Sequence, residues 1–578
     1  MIRNFFQEKY LIWIIAVFIG ILMIAPSFYF RYFGGAYRGI DFFGSDAETA
    51  YLAQVQEIYD GHWSLGNIYL SDLKDSPYVQ QPLSPIIVAF LGKAAGISAR
   101  DINMAAKFLF PALLTVLVYA CFSAIFGRKD IAIVMAVFVM LIQASWAFLN
   151  PLSWPKILLQ GEFPGTEPSF LLYARPINPQ ISSFFFFGYL LCLWKFLFEE
   201  LDKKSEKIFG IASAVILGLS VYTYFFTLTI LAALTGILGI WFFALKDWQK
   251  LKKLVLVSFG GGLVAVPYFF NAVKVLASPF YERVIRAGGT VEGRQFIFSR
   301  VWWGVFLAFL FLYRKWNWTK IFTTAFLLAG FLVTNQQLLT ARTAPVVSHY
   351  HWYYIAPVGG AILVYLFLIY LEKFSAALSR WAIIGMILAF LYAGVVFQKN
   401  SYDFGHSYIV DAQRYAPLFS WINKNIPEES AFFANDPISN HITAYTGHNV
   451  YYDPKVNHYL VGEERLRDSF YAQIFLSGIN QENISYFSEE NRDLIGNWLF
   501  GQYYRMKNGC YGCFPEEILE NFVSGYGEFL DAGFIYSLKK YPIDYFIWDK
   551  EKNPEWQPNR FLNGKIYEAD SFVIYKIS

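Results

Sequence analysis

From residue 11 to residue 397 the chain returns again and again to apolar runs long enough to cross a lipid bilayer, and that repetition decides its class before any motif does. The runs fall near 11–30, 104–126, 131–149, 181–198, 208–224, 227–245, 254–276, 299–313, 320–334, 353–371 and 381–397, eleven expected spans. With 56% hydrophobic and only 16% charged residues among 578, the chain is read as a polytopic α-helical membrane protein. The first run follows Arg3 and Lys9, exceeds a usual signal-peptide core and lacks a cleavage site followed by a polar start. It is expected to be an uncleaved anchor with its N-terminus inside.

Charge orders the connections. Arg128 and Lys129, then Lys203, Lys204 and Lys207, then Lys246, Lys250, Lys252 and Lys253, then Arg314 and Lys315, then Lys373 and Arg380 fall on alternate short loops, which should be cytoplasmic. The long first loop 31–103, the loops near 150–180, 277–298 and 335–352, and residues 399–578 then lie outside. The apolar stretch 83–97 carries Lys93 and is expected to dip into the interface without crossing, because a crossing there would invert the alternation. Two domains follow: a transmembrane part, 1–398, and an extracytoplasmic soluble part, 399–578. The soluble part carries 16 Lys and Arg against 24 Asp and Glu, the rest 31 against 20, so the acidic part has no electrostatic footprint for nucleic acid.

Few ionisable residues sit near the centres of the spans, where ion or solute transport would want them, and the polar chemistry gathers in the outer loops instead. In the first of these, Ser45 followed by Glu48 reads as a capping box, starting a helix that runs to Asp60-Gly61 with Asp46 in its first turn. Tyr51, Leu52, Val55, Ile58 and Tyr59 form an apolar stripe on that helix, suited to a membrane surface. Glu162, Glu167, Arg175 and Asn178 lie in the second outer loop, and Arg342, His349 and His351 in the last, before the aromatic group Trp352-Tyr353-Tyr354. Taken singly, each loop also fits a solvated connection with an interfacial aromatic belt.

Residues 399–578 read as alternating α/β: helix over 411–425, strand over 431–435, helix over 438–446, a strand-like stretch over 449–452, and later strands over 545–548 and 572–575. Cys510 and Cys513 are equally compatible with a local disulfide and with two thiols, and no second pair suggests zinc. No phosphate-binding glycine loop, serine-hydrolase elbow or metalloprotease helix is present.

An inward N-terminus, a long outer first loop opening with Gly44-Ser45-Asp46-Ala47 and continuing into a tyrosine-bearing helix, many further spans and an outer soluble tail together resemble the GT-C superfamily of integral-membrane glycosyltransferases. The resemblance implies a polyprenyl-phosphate-linked sugar as donor and Asp46 as the essential acidic residue. An Asp-x-Asp in the second outer loop is missing, which leaves a divalent cation (Mg or Mn) an open expectation.

The chemistry asks for a carboxylate to deprotonate or orient an acceptor hydroxyl, and for cations or hydrogen-bond donors at the departing lipid phosphate. Asp46 is expected in the first role, with Asp41, Glu48 and Glu162 as secondary candidates. Arg342, Arg175, His349 and His351 are expected in the second. Glu48→Gln is expected to be mild, since glutamine can complete a capping box. The function expected is an inverting transfer of sugar to a glycan, lipid or protein acceptor on the outer face of a prokaryotic-type plasma membrane. The alternatives are a non-enzymatic membrane protein (a transporter or flippase of lipid-linked saccharides, or an envelope assembly factor) and a polymerase or ligase of lipid-linked glycans.

Overall fold

The computed structural model describes residues 8–44, 46–162, 170–344 and 346–577, apart from the side chains of Glu8, Lys9, Asp46 and Phe148. Arg3, Ser45 and Glu167, together with the Asp46 carboxylate, thus lie outside the described residues. Among the described residues seven helices are long and apolar enough to cross a membrane: Tyr10–Tyr32, Ala99–Phe126, Gln180–Phe198, Phe225–Ala244, Trp248–Leu276, Ser348–Phe374 and Ala376–Ala412. The other four expected spans also fall on helices, but on broken, charged or short ones. Lys129–Met140 and Ile142–Phe148 part at Leu141, and Lys203–Ser220 opens with Lys203, Lys204, Glu206 and Lys207. Arg300–Leu312 and Trp318–Thr334 hold 13 and 17 residues, about 20 and 25 Å at 1.5 Å per residue, short of a hydrocarbon core of about 30 Å.

The first helix, α1 (Glu8–Tyr32), lies against α4 (Ala99–Phe126), and between them in sequence come α2 (Asp46–Tyr59) and α3 (Leu83–Ala95). Gly20 permits the α1–α4 contact, because a Cβ there would stand 2.8 Å from Phe108. The Lys93 ammonium on α3 donates to the Ile58 carbonyl at 2.8 Å, satisfying the end of α2, and lies 5.3 Å from the Tyr59 and Trp63 rings. That is why a charge can sit in this apolar stretch.

The loops sort to two ends. At one, Arg128 pairs with Glu372 at 2.5 Å, Lys253 with Glu206 at 2.6 Å, and the Lys250 ammonium sits 4.3 Å from the Trp318 ring centre. At the other, the first loop joins the C-terminal region: Val450 N–H donates to Tyr69 O at 2.9 Å, Gln413 binds the backbone of Arg38 and Ile40, and Arg465 pairs with Asp72. The loop 277–298 joins there too, through Arg283.

The boundary expected at 398/399 falls inside a single helix, α5 (Ala376–Ala412), which continues from the membrane part into the C-terminal part. Beyond it come Tyr415–Asn425, β1 (Ala431–Phe433), α6 (Asp436–Tyr445), β2 (Asn449–Val450), α7 (Glu463–Leu476), α8 (Glu516–Ala532), β3 (Tyr545–Asp549), β4 (Lys565–Ala569) and β5 (Phe572–Lys576). The sheet order is β2-β1-β3-β5-β4, parallel for β2-β1-β3 and antiparallel for β3-β5-β4. Central β1, β3 and β5 read as near-continuous apolar runs because both of their faces are covered. β4, absent from the sequence reading, is an exposed edge whose Lys565 and Glu568 hide any alternation. Cys510 and Cys513 are disulfide-bonded.

Candidate active site

The site is organised by α2. Gly44 precedes it because a Cβ there would stand 2.2 Å from the Phe170 ring, so only glycine lets this turn approach the second outer loop. Glu48 reaches back as a capping residue, though its Oε1 accepts from Gly44 N–H at 3.0 Å. Its other oxygen meets Lys107 Nζ on α4 at 2.6 Å, and both side chains are almost wholly buried. Lys107 also donates to Ser27 Oγ at 3.0 Å. Glu48 is therefore one half of a buried ion pair between α2 and α4, a pairing that Glu48→Gln would break although glutamine could still complete the cap.

The apolar stripe of α2 is likewise reassigned. Leu52, Val55 and Ile58 are fully buried, and the helix is packed between α3 and α6, so protein rather than lipid covers this face. Asp41, the reserve candidate, is held by Arg100 at 3.1 Å and Arg31 at 3.8 Å and accepts from the Tyr37 hydroxyl at 3.3 Å, while its backbone N–H donates to Tyr445 Oη. That carboxylate is thus compensated by two arginines.

Arg175 presents the opposite case. Its Nε donates to Asn178 O at 3.2 Å, its terminal nitrogen donates to Tyr353 Oη, and among the described residues no carboxylate pairs with it. Around it stand Tyr51 of α2, Tyr224, Tyr353 and His349: the His349 ring stacks on Tyr353 at 4.9 Å, and its Nδ1 shares a hydrogen bond of 2.6 Å with the Tyr224 hydroxyl. Burial pushes the Tyr51 phenol up to about 12, with Arg175 acting against that rise, so the phenol stays neutral at ordinary pH. A guanidinium met only by neutral oxygens, with hydroxyl and imidazole donors beside it, is an electrostatic seat for an anion.

Two of the four expected phosphate-binding residues, Arg175 and His349, thus come together. Arg342 is engaged elsewhere: both terminal nitrogens lie 3.2 Å from Glu282 Oε1, and its backbone bridges to Glu292. The His351 ring meets Trp352 edge-on at 5.0 Å, and Glu162 is exposed with its N–H on Lys156 O. Tyr224 and Lys107 carried no signal in sequence, Tyr51 stood out only as part of the apolar stripe of α2, and Tyr353 was hidden in what reads as an aromatic belt. Arg283, in the loop 277–298, is pinned on the carbonyls of Asn457, Tyr459 and Val461, and burial draws its pKa down to about 10.

A cavity of about 250 Å³ opens beside the start of α2, walled by Gly44, Thr49, Phe170, residues 401–409 of α5, and Asn440, His441 and Lys455 of the C-terminal part. Lys455 there donates to Asn440 Oδ1. A second, almost wholly apolar groove of about 640 Å³ runs between Lys203–Ser220, Phe225–Ala244 and Trp248–Leu276, past Gly236, Gly239 and Gly262, to Val221 and Tyr268. Its end is three residues from Tyr224. Among the described residues no three His, Cys, Asp or Glu side chains gather to hold a metal, so no step is assigned to one.

Fold and site together define a multi-pass membrane protein whose helical part and C-terminal part share one continuous helix. The solved structure of ArnT from Cupriavidus metallidurans bound to undecaprenyl phosphate superposes with a TM-score of 0.50 and 12% identity, over 99% of this chain and 98% of that one. The same protein in its apo state gives 0.42 and 11%, over 92% and 93%. No protein-family model and no curated protein matches the sequence. At this identity the likeness establishes the fold.

Proposed function

We propose that this protein is an integral-membrane glycosyltransferase that takes a sugar from a polyprenyl-phosphate-linked donor and passes it to an acceptor on the outer face of the plasma membrane. The observation that carries the reading is the Arg175 guanidinium, which no carboxylate among the described residues pairs with, set among Tyr51, Tyr353 and His349 beside α2; Tyr224, bonded to His349, follows three residues after Val221 in the wall of the apolar groove. A prenyl chain would lie in that groove with its phosphate at Arg175. Asp46, at the head of α2, would take the proton of the acceptor hydroxyl as its oxygen attacks the anomeric carbon, and the sugar–phosphate bond would break with its electrons going to the lipid phosphate. The acceptor would enter through the cavity beside Gly44 and Thr49. The basic loops at the opposite end suit the cytoplasm, and the Cys510–Cys513 disulfide suits an oxidising exterior.

The test is donor affinity and single-turnover rate in Arg175→Ala and Arg175→Lys. Both quantities should fall in the alanine variant, and lysine should restore only part, since it lacks the bidentate fork. Unchanged donor affinity and rate in Arg175→Ala would remove the residue from the site.

A further inference from the structure

The C-terminal part carries a cleft whose chemistry the transfer reaction does not use. Two neighbouring cavities of about 390 and 310 Å³ meet at Arg467, Gly525 and Glu528, between α7 and α8. Each is within the size range of small-ligand sites. None of their lining residues belongs to the groups around α2.

The charges in the cleft differ in how they are engaged. Lys540 neutralises Glu464 at 2.5 Å and Asp468 at 2.9 Å, and Tyr541 donates to Asp468 at 3.1 Å. Arg467, Glu463 and Glu528 form no ion pair or hydrogen bond with any described side chain, and Arg467 Nε is shut away from solvent without an acceptor. One buried and one exposed tyrosine border the larger lobe. Tyr471 is fixed by its hydroxyl on Phe522 O at 2.6 Å, and Tyr536 stands 76% exposed at the rim. A Cβ on Gly525 would come within 2.7 Å of Tyr471 Oη, so a larger residue would disturb the waist between the lobes.

We infer that this two-lobed cleft binds a neutral oligosaccharide. Sugar hydroxyls both donate and accept, so several of them can satisfy a free guanidinium and two free carboxylates at once, while the exposed Tyr536 ring at the rim covers part of the C–H surface. An apolar ligand would strip water from Arg467, Glu463 and Glu528 and give nothing back. An anionic sugar would meet Glu463 and Glu528 as like charges. The inference stands apart from the transferase reading, because it concerns binding without turnover.

The test uses the full-length protein in lipid nanodiscs and a set of neutral hexasaccharides built from glucose, galactose, mannose or N-acetylglucosamine, with the hexamer of galacturonate as the anionic counterpart. At least one neutral hexamer should bind by calorimetry or saturation-transfer NMR and be preferred over the galacturonate. Arg467→Ala should weaken that binding about ten- to hundredfold, the scale of losing hydrogen bonds to a charged donor. Ser524→Trp, at an exposed position on α8 that lines the smaller lobe, should block it without touching the core. Failure of every neutral hexamer to bind, tighter binding of the galacturonate, binding unchanged in both variants, or binding lost in Arg175→Ala instead would each overturn the inference.

Discussion

Arg175 and Arg342 carry the same charge and lie in comparable loops near the ends of apolar helices, yet the protein uses them in opposite ways. Arg342 is 43% exposed and its guanidinium is answered by Glu282; Arg175 is enclosed and, among the described residues, answered by the Asn178 carbonyl and the Tyr353 phenol and by no carboxylate. An exposed cation already paired with a carboxylate has little left for a phosphate, and salt screens what remains. Compensation, rather than position along the chain, separates an anchor from a binding group.

The contrast can be broken most severely at α2, because an empty-handed Arg175 matters to transfer only if a reacting carboxylate stands nearby. Asp46→Asn should leave folding and donor binding intact and lower the single-turnover rate about 10²- to 10⁴-fold, as the loss of a general base does. Full activity would move the chemistry away from α2. Arg175→Ala should cost about 10²- to 10³-fold in rate, the effect of deleting one donor at a developing charge, with donor affinity falling alongside. Glu48→Gln acts on stability: it leaves Lys107 buried without its counter-ion, and breaking such a pair should lower unfolding stability by about 3 kcal/mol. Adding Lys107→Met should recover much of that loss in a thermal-unfolding series, and a double variant no better than the single would show that the pair is not coupled. Least affected should be Arg342→Ala, whose exposed pair is worth about 0–1 kcal/mol, with donor affinity and rate within a fewfold of the parent. A large loss there would reverse the assignment of the two arginines.

How much of this was legible beforehand depended on whether the information was local. Length and apolarity placed helices at every expected span, and the Glu48 spacing placed the start of α2. Strands β1, β3 and β5 announced themselves because central strands are apolar throughout, whereas β4 carries the charges of an edge. The partners that decide function were not local. Glu48 meets a lysine on α4, Arg342 a glutamate in another loop, and Arg283 three carbonyls of the C-terminal part, and none of these partners is near in sequence. Arg175 stood out only once its neighbours were known to be neutral. The reach of α2 was misjudged for a related reason: an amphipathic stripe reports that something apolar covers it, not whether that cover is lipid or α6.

The unbroken helix α5 has a mechanical consequence. Its 37 residues extend about 55 Å, against a hydrocarbon core of about 30 Å, so it is long enough to cross the membrane and still continue far into the C-terminal part. Ser401, Gly405 and Ile409 on its outer stretch form one wall of the cavity beside α2. With no hinge between the two portions, any tilt the bilayer imposes on the inner turns is carried as a lever arm to that wall. Membrane thickness, and with it the lipid composition of the envelope, thereby becomes a variable of the space in which the acceptor would sit.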